Sequence, residues 1–185
     1  MSEDTGIDEP CGTAEGDLVL ITGMSGAGRS EAIHTFEDLG YFCIDNLPPA
    51  LIGQLVSLTA LPGSRVRRIA VVCDVRGGDF FRELAAELDD LELVGHPFRI
   101  LFLTADDRTL VHRFKETRRR HPLAEMGAVA DGIAAERKLV EAVRERADLI
   151  IDTSTLRPQE LRTLIREKFI SDGAEAQLTV TVSSF

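Results

Sequence analysis

Five short apolar runs alternate with helical patterns along this chain, and this alternation is its strongest constraint on the fold. The runs are rich in Val, Ile and Leu without polar alternation, which is typical of strands covered on both faces in a parallel sheet. They lie at residues 18–22, 41–44, 68–74, 99–104 and 148–152. Helical patterns lie at 30–39, 49–59, 80–91, 107–117, 128–147 and 157–169. This order predicts an α/β fold, a doubly wound five-stranded parallel sheet flanked by helices.

A glycine-rich segment joins the first apolar run to the first helical pattern. It reads Gly23-Met-Ser-Gly-Ala-Gly-Arg-Ser30 and matches the Walker A pattern of a phosphate loop, except that Arg29 stands where lysine is usual. Glycines let backbone N–H groups point at phosphate oxygens, and the helix start adds its positive dipole end. The segment predicts a kinase-like P-loop NTPase fold that binds ATP or GTP. The predicted binding residues are Gly23, Met24, Ser25, Gly26, Ala27, Gly28, Arg29 and Ser30.

Each charged or hydroxyl side chain of this loop has an expected task. Arg29 is a predicted catalytic residue that neutralises the β- and γ-phosphates, and Ser30 offers a hydroxyl to Mg²⁺. Arginine keeps the charge but replaces a compact ammonium by a planar fork, so binding should survive this change better than catalysis. An ordinary glycine-rich strand-to-helix turn is the alternative. The position inside a repeating strand–helix pattern favours the phosphate loop.

Two more predicted strands end in aspartate. Asp74 follows an apolar run as in a Walker B strand, so we predict that it binds Mg²⁺ through water and takes part in catalysis. The alternative is an aspartate that caps the next turn. Asp45 could act as a base toward an acceptor hydroxyl, as in small-molecule kinases, or cap the helix that starts near Pro49. The sequence favours neither role of Asp45 over the other.

One dense basic cluster interrupts an otherwise acidic chain with a formal net charge of -10. Such a surface repels nucleic acid on average, so RNA contacts would have to come from this cluster. It can be a lid that closes over nucleotide phosphates, an RNA-binding patch, or a solvated helix end, and we favour the lid. The cluster consists of Arg113, Lys115, Arg118, Arg119 and Arg120.

Composition and the acidic N-terminal segment suggest a cytoplasmic chain whose length fits one domain of ordinary size. No apolar run is long enough to span a membrane, the acidic N-terminus is no signal peptide, and the three cysteines lack CxxC spacing. We expect residues 1–16 to be a disordered tail and 17–171 to be the nucleotide-binding domain. Residues 172–185 are expected to be a linker and the first strand of a truncated C-terminal domain. An added edge strand is the alternative for that strand.

Several blocks of sequence resemble the RapZ/YvcJ family of nucleotide-binding proteins, from about Asp17 to Ser171. The phosphate loop is the least specific of these blocks. The others are Phe36-Glu-Asp-Leu-Gly-Tyr-Phe-Cys-Ile-Asp-Asn-Leu-Pro48, Asp74-Val-Arg76, Arg118-Arg-Arg-His-Pro-Leu123 and Ala147-Asp-Leu-Ile-Ile-Asp-Thr-Ser154.

The resemblance implies slow hydrolysis of ATP or GTP, and an adapter role that presents a small regulatory RNA to an RNase through a C-terminal domain. It places an ATP site on the phosphate loop and a contact segment for GTP on Asp74, Val75, Arg76 and Gly77. A small-molecule or nucleoside kinase is the alternative function, and a non-catalytic RNA-binding adapter is the third. The expected partner is a nucleotide, and no association with a membrane is expected. The preferred base, the acceptor and the oligomeric state, including a homo-oligomer, stay open.

Overall fold

The computed structural model describes residues 17–59, 61, 63–64, 66–73, 78–118, 121–124, 128–171 and 180–182. Its centre is a parallel sheet in the order β2-β3-β1-β4-β5-β6. The strands are β1 (Asp17–Gly23), β2 (Phe42–Asp45), β3 (Arg68–Val72), β4 (Phe98–Thr104), β5 (Leu149–Asp152) and β6 (Val180–Val182). The first five strands confirm the predicted parallel sheet.

Helices follow each of the first five strands, as the sequence pattern predicts. A short 3₁₀ turn (Pro49–Leu51) leads directly into the second helix. The helices are α1 (Arg29–Asp38), α2 (Ile52–Thr59), α3 (Gly78–Leu93), α4 (Asp107–Thr117), α5 (Val129–Glu145) and α6 (Pro158–Ser171). Gly40 follows α1 with a φ of 81°, the left-handed conformation that a glycine after a helix supplies.

Two helical layers bury the sheet. α1 and α6 pack on each other in one layer, where Phe36 meets Phe169 edge-on with ring centroids 4.8 Å apart. α2, α3 and α5 form the other layer. The side chains of β1 are almost wholly inaccessible, with Val19 and Ile21 both 0% exposed, because this strand lies at the middle of the sheet. Burial on both faces explains the unbroken apolar runs of the sequence.

The strand order creates a crevice at the carboxyl end of β1. The chain leaves β1 toward β2 on one side of the sheet, and then crosses from β3 to β4 on the other side. Ligands of doubly wound sheets bind where the connections diverge in this way. The segment Gly23 to Ser30 starts at that position.

A sixth strand extends the sheet beyond β5. Val180–Val182 runs parallel to β5, with Leu149 opposite Val180 and Ile151 opposite Val182. This pairing agrees with the edge strand that the sequence left as an alternative. The division of the chain into 17–171 and 172–185 stays a prediction, because 172–179, 183–185 and the predicted tail 1–16 lie outside the described residues. No helix of the described part is both long and apolar enough to cross a membrane.

Candidate functional site

The segment Gly23 to Ser30 begins with a close crossing over β4. Gly23 has a φ of 131°, and the N–H of Met24 donates to the carbonyl oxygen of Leu103 over 2.9 Å. A Cβ on Gly23 would lie 2.0 Å from that same oxygen, far inside contact distance. Only glycine fits this position, because it tolerates positive φ and carries no side chain.

The rest of the loop is a tight turn that leads into α1. The N–H of Ala27 donates to the carbonyl of Met24 over 3.0 Å, and Gly26 and Gly28 have φ values of 85° and 106°. Gly28 is the N-cap of α1 and provides no side-chain cap, which leaves the first turn without that partner for its N–H groups.

The amides of the loop divide into two groups. The N–H groups of Met24, Ser25 and Ala27 donate to acceptors in the described part of the protein. The amides of Gly26, Gly28 and Ser30 take no part in those bonds, and Ser30 is exposed. Amides around a helix N-terminus can bind an anion such as phosphate. Within the described part of the chain, these three amides are therefore left to face a ligand at the predicted phosphate site.

The side chain of Arg29 extends from the loop toward the end of β3. Its Nη1 is 3.4 Å from the carbonyl oxygen of Cys73, and its Nη2 is 3.3 Å from the hydroxyl of Ser25. Cys73 is fully buried, and burial raises the pKa of its thiol to about 12. The thiol is therefore a neutral packing group, whereas the neighbouring Arg29 guanidinium carries a positive charge.

The predicted basic cluster divides into different environments. Arg113 is half-buried and donates from Nη1 to the carbonyl of Gly26 over 3.0 Å and from Nη2 to the carbonyl of Thr153 over 2.6 Å. Burial lowers the pKa of Arg113 from its usual value. Lys115 and Arg118 are exposed, whereas residues 119–120 lie outside the described part. Arg113 thus holds the predicted phosphate loop in place and is not part of an exposed basic patch.

Thr153, which follows β5, holds the other side of the turn. Its hydroxyl donates to the carbonyl of Ala27 over 2.9 Å, and its N–H donates to the carbonyl of Thr104 over 2.8 Å. If a loop binds its ligand through N–H groups alone, its carbonyl oxygens need hydrogen-bond donors from other parts of the protein. Thr153 and Arg113 satisfy two of them, and sequence reasoning assigned neither residue to this task.

The strongest contact that sequence reasoning missed comes from α5. Glu136 is 0% exposed and accepts hydrogen bonds from both the N–H and the hydroxyl of Ser25, over 3.0 and 2.7 Å. It also lies 3.1 Å from Nε2 of His121, which is 2% exposed. A signal was present in the sequence, because Glu136 falls on the same helical face as the buried Ile133 and Val140. A charged residue on an apolar helical face needs a hydrogen-bond or ion-pair partner when it is buried.

Part of the predicted site cannot be placed. Asp74, Val75, Arg76 and Gly77 lie outside the described residues, so the second magnesium ligand and the GTP segment stay predictions. The described residues contain no group of three His, Cys, Asp or Glu side chains that could hold a metal ion.

Asp45 ends β2 with an exposed side chain at the carboxyl edge of the sheet. The capping role considered for it is wrong for the 3₁₀ turn, whose N-cap is Pro48 and which has no side-chain cap. Proline at that position leaves the turn start without a side-chain acceptor, and Asp45 stays open to solvent.

A cavity of about 400 Å³ lies beside the loop, between α5 and the ends of β4 and β5. It meets the loop at Met24, and Phe102 forms part of its apolar floor. Its charged lining consists of Asp106, Asp107, Glu141, Asp152, Arg137 and Arg144. Arg137 donates to the carbonyl of Ala105 over 2.9 Å and to Asp107 over 2.5 Å, so part of this charge is paired within the protein.

We expect Thr22→Val to raise the free energy of unfolding by about 1 kcal/mol, since valine keeps the shape and removes a costly buried hydroxyl. Thr22 immediately precedes the loop, is 1% exposed, and its hydroxyl has no hydrogen-bond partner in the described part of the chain. Urea unfolding measures the change. Thr35→Val is the matched control and should lose about 1 kcal/mol, because the Thr35 hydroxyl donates to the carbonyl of Glu31 over 2.8 Å. A loss for Thr22→Val equal to that of the control would contradict this prediction.

The fold of this chain resembles that of P-loop kinases. A shikimate kinase from Acinetobacter baumannii in complex with shikimate superposes with a TM-score of 0.55 at 17% identity, covering 87% of this chain and 96% of that one. A thymidylate kinase from Candida albicans gives a TM-score of 0.52 at 12% identity, covering 86% and 93%. Similarity at this level of identity shows the fold alone.

Sequence comparison gives the family. The chain belongs to the RapZ-like N-terminal domain family, whose model matches residues 16–173. It is 48% identical over 171 residues to a protein of Moorella thermoacetica named "Nucleotide-binding protein", covering 91% of this chain and 56% of that protein. A Lysinibacillus sphaericus protein of the same name is 51% identical over 170 residues, with 91% and 57% covered. The chain thus spans a little over half the length of these relatives.

Proposed function

We propose that this domain binds ATP or GTP with Mg²⁺ at Gly23 to Ser30 and hydrolyses the nucleotide slowly. One observation carries the proposal: a turn of left-handed glycines leads into α1 at the crevice beside β1, and the amides of Gly26, Gly28 and Ser30 in it make none of the hydrogen bonds of the described part. Triphosphates suit such a site because it presents N–H donors and a positive helix end. The name "Nucleotide-binding protein" of the full-length relatives supports the same ligand.

The catalytic part of the proposal rests on Arg29, Ser30 and Asp74. Arg29 would neutralise phosphate charge, Ser30 would bind Mg²⁺ directly, and Asp74 would hold it through water. Slow rather than fast turnover is expected, because guanidinium geometry differs from that of the usual lysine. The segment Asp74 to Gly77 is proposed as the second nucleotide contact.

The proposal also includes a regulatory role for the whole protein. By family resemblance the whole protein would act as an adapter between a small regulatory RNA and an RNase in the cytoplasm, with its C-terminal part contacting the RNA. A kinase acting on a small molecule is the second candidate. Asp45 favours it, since its exposed carboxylate at the carboxyl edge of the sheet suits a base for an acceptor hydroxyl. Labelled ATP with and without a metabolite library separates the two, because a kinase transfers label to an acceptor and a hydrolase releases phosphate.

Saturating MgATP or MgGTP should raise the melting temperature of this domain. Ligand that binds only the folded state adds about 2.7 kcal/mol of stability at a concentration of 100 Kd. Crystals grown with sulfate should show an anion on the amides of Gly26, Gly28 and Ser30. If neither nucleotide shifts the melting temperature, the proposed function is wrong.

Changing Arg118, Arg119 and Arg120 together to alanine should raise the nucleotide KM or lower kcat, with modest salt dependence. This result is expected if the three act as a lid over the phosphates. If they bind RNA instead, nucleotide kinetics should stay unchanged. RNA affinity should then fall, and its dependence on log salt should become shallower by about one for each phosphate that the variant no longer neutralises. Steady-state kinetics and filter binding at several salt concentrations decide between the two.

A further inference from the structure

A buried polar network lies against the phosphate loop, and it reaches Arg29. Glu136 accepts two hydrogen bonds from Ser25, one from the backbone N–H and one from the hydroxyl. The Ser25 hydroxyl also accepts from Nη2 of Arg29 over 3.3 Å. The Glu136 carboxylate is therefore linked through Ser25 to the Arg29 guanidinium, which is expected to contact phosphate.

His121 completes the network in a defined tautomer. Its Nδ1 accepts from the N–H of Leu123 over 3.1 Å, so the ring proton is on Nε2 and points at Glu136 Oε2. Nε2 to Oε2 is 3.1 Å. The Glu136 carboxylate thus receives three donors, which satisfies a group that is costly to bury otherwise.

α5 has a glycine, Gly132, where it faces His121, and the missing side chain leaves space for the imidazole. A Cβ on Gly132 would lie 2.5 Å from Nδ1 of His121 and 2.9 Å from its Cγ. Phe114 of α4 contacts the other part of the ring, with centroids 5.0 Å apart. The imidazole is therefore confined between two helices at the place where it donates to Glu136.

Core packing alone does not account for this arrangement. An apolar residue at position 136 would fill the interior without the desolvation cost of a buried carboxylate. The carboxylate instead fixes Ser25, whose amide and hydroxyl both donate to it. Its effect is to hold the loop in the conformation in which the amides of Gly26, Gly28 and Ser30 can meet a ligand.

We propose that Glu136 and His121 are positioning residues of the phosphate loop: Glu136 fixes Ser25 and through it Arg29, and His121 fixes Glu136. For its ligand the inference rests on the proposed function, namely that the loop binds nucleotide phosphate. The positioning itself is a property of the protein without ligand and can be measured there.

The decisive variant is Gly132→Ala, which displaces His121 and leaves every charge of the site in place. Gly53→Ala in α2 is the matched control, since its Cβ would meet only the flexible Glu87 side chain at 3.4 Å. Both changes replace a helical glycine by alanine and gain the same helix propensity. We expect amide hydrogen exchange in Gly23 to Ser30 of ligand-free Gly132→Ala to be about tenfold faster than in the parent, with β1 and β4 unchanged. The Kd of MgATP should rise about tenfold.

Two results would overturn the inference. One is loop exchange in Gly132→Ala equal to that in Gly53→Ala. The other is exchange that rises equally in the loop and in the strands, which would show a general loss of stability. Glu136→Gln gives a second reading if Gly132→Ala fails to fold. Its NH₂ group would replace one carboxylate oxygen and leave at least one of the three donors without its acceptor. Loop exchange should therefore again be faster, and unchanged exchange would count against the proposal. If the parent binds neither MgATP nor MgGTP, the proposed function fails while the exchange data still decide the positioning.

Discussion

Gly23→Ala should lower the free energy of unfolding by about 4 kcal/mol or more, a loss that only a few kinds of substitution cause. Its φ of 131° is strained for any side chain, and a Cβ would lie 2.0 Å from the carbonyl oxygen of Leu103. That oxygen belongs to a central strand and accepts from Met24, so it cannot move without disturbing β4. Chemical denaturation, or the soluble yield if the variant does not fold, measures the effect.

Gly40→Ala separates backbone strain from the steric clash. Gly40 has a φ of 81°, and a Cβ there would meet nothing within 4 Å. We expect this control to cost about 1–2 kcal/mol, the usual penalty of a left-handed conformation for an L-residue. Equal losses in the two variants would mean that the loop can move away from β4, and the close crossing would not be a fixed element of the site.

Arg29→Ala should weaken nucleotide binding by about 10- to 100-fold. A charge-assisted hydrogen bond contributes about 1.5–3 kcal/mol, and each 1.4 kcal/mol is a factor of ten in Kd. Calorimetric titration with MgATP and MgGTP measures the change. Arg108→Ala on the exposed start of α4 alters the net charge equally and should leave Kd nearly unchanged. A similar loss in both variants would point to general electrostatics rather than to a phosphate contact.

Arg29→Lys should hydrolyse nucleotide as fast as the parent or faster. A compact ammonium fits the β/γ-phosphate position of the loop better than a planar fork does. In the structure, however, the fork reaches both Cys73 and Ser25. Slower turnover by the lysine variant would therefore show that the site has adapted to the guanidinium, with Ser25 and Glu136 as part of that adaptation.

The position of the loop follows from the sequence because all of its causes are local. Gly23, Gly26 and Gly28 mark the backbone turns, and the helix start comes directly after them. The parallel sheet was equally predictable, since strands buried on both faces leave apolar runs without alternation. Asp45 was predictable only in part, because its place at a strand end is local, whereas whether it caps the next turn depends on how that turn begins.

Contacts between distant parts of the chain could not be predicted in this way. Glu136 and Ser25 are 111 residues apart, and the Thr153 hydroxyl and Ala27 are 126 residues apart. The sequence placed Arg113 in a basic cluster that we interpreted as a lid, because its neighbours in sequence are also basic. Only the packing of α4 against the loop makes it a half-buried support.

By itself, the sequence determined the strand–helix alternation, the glycine turn and the position of the predicted phosphate loop, because backbone conformation and burial on two faces leave local patterns. The tertiary structure alone decided which loop amides bond within the fold and which side chains hold the loop. Those properties depend on how α4, α5 and the chain after β5 converge on one turn, and hydrogen bonds between such distant residues have no local signature beyond a charged residue on an apolar helical face.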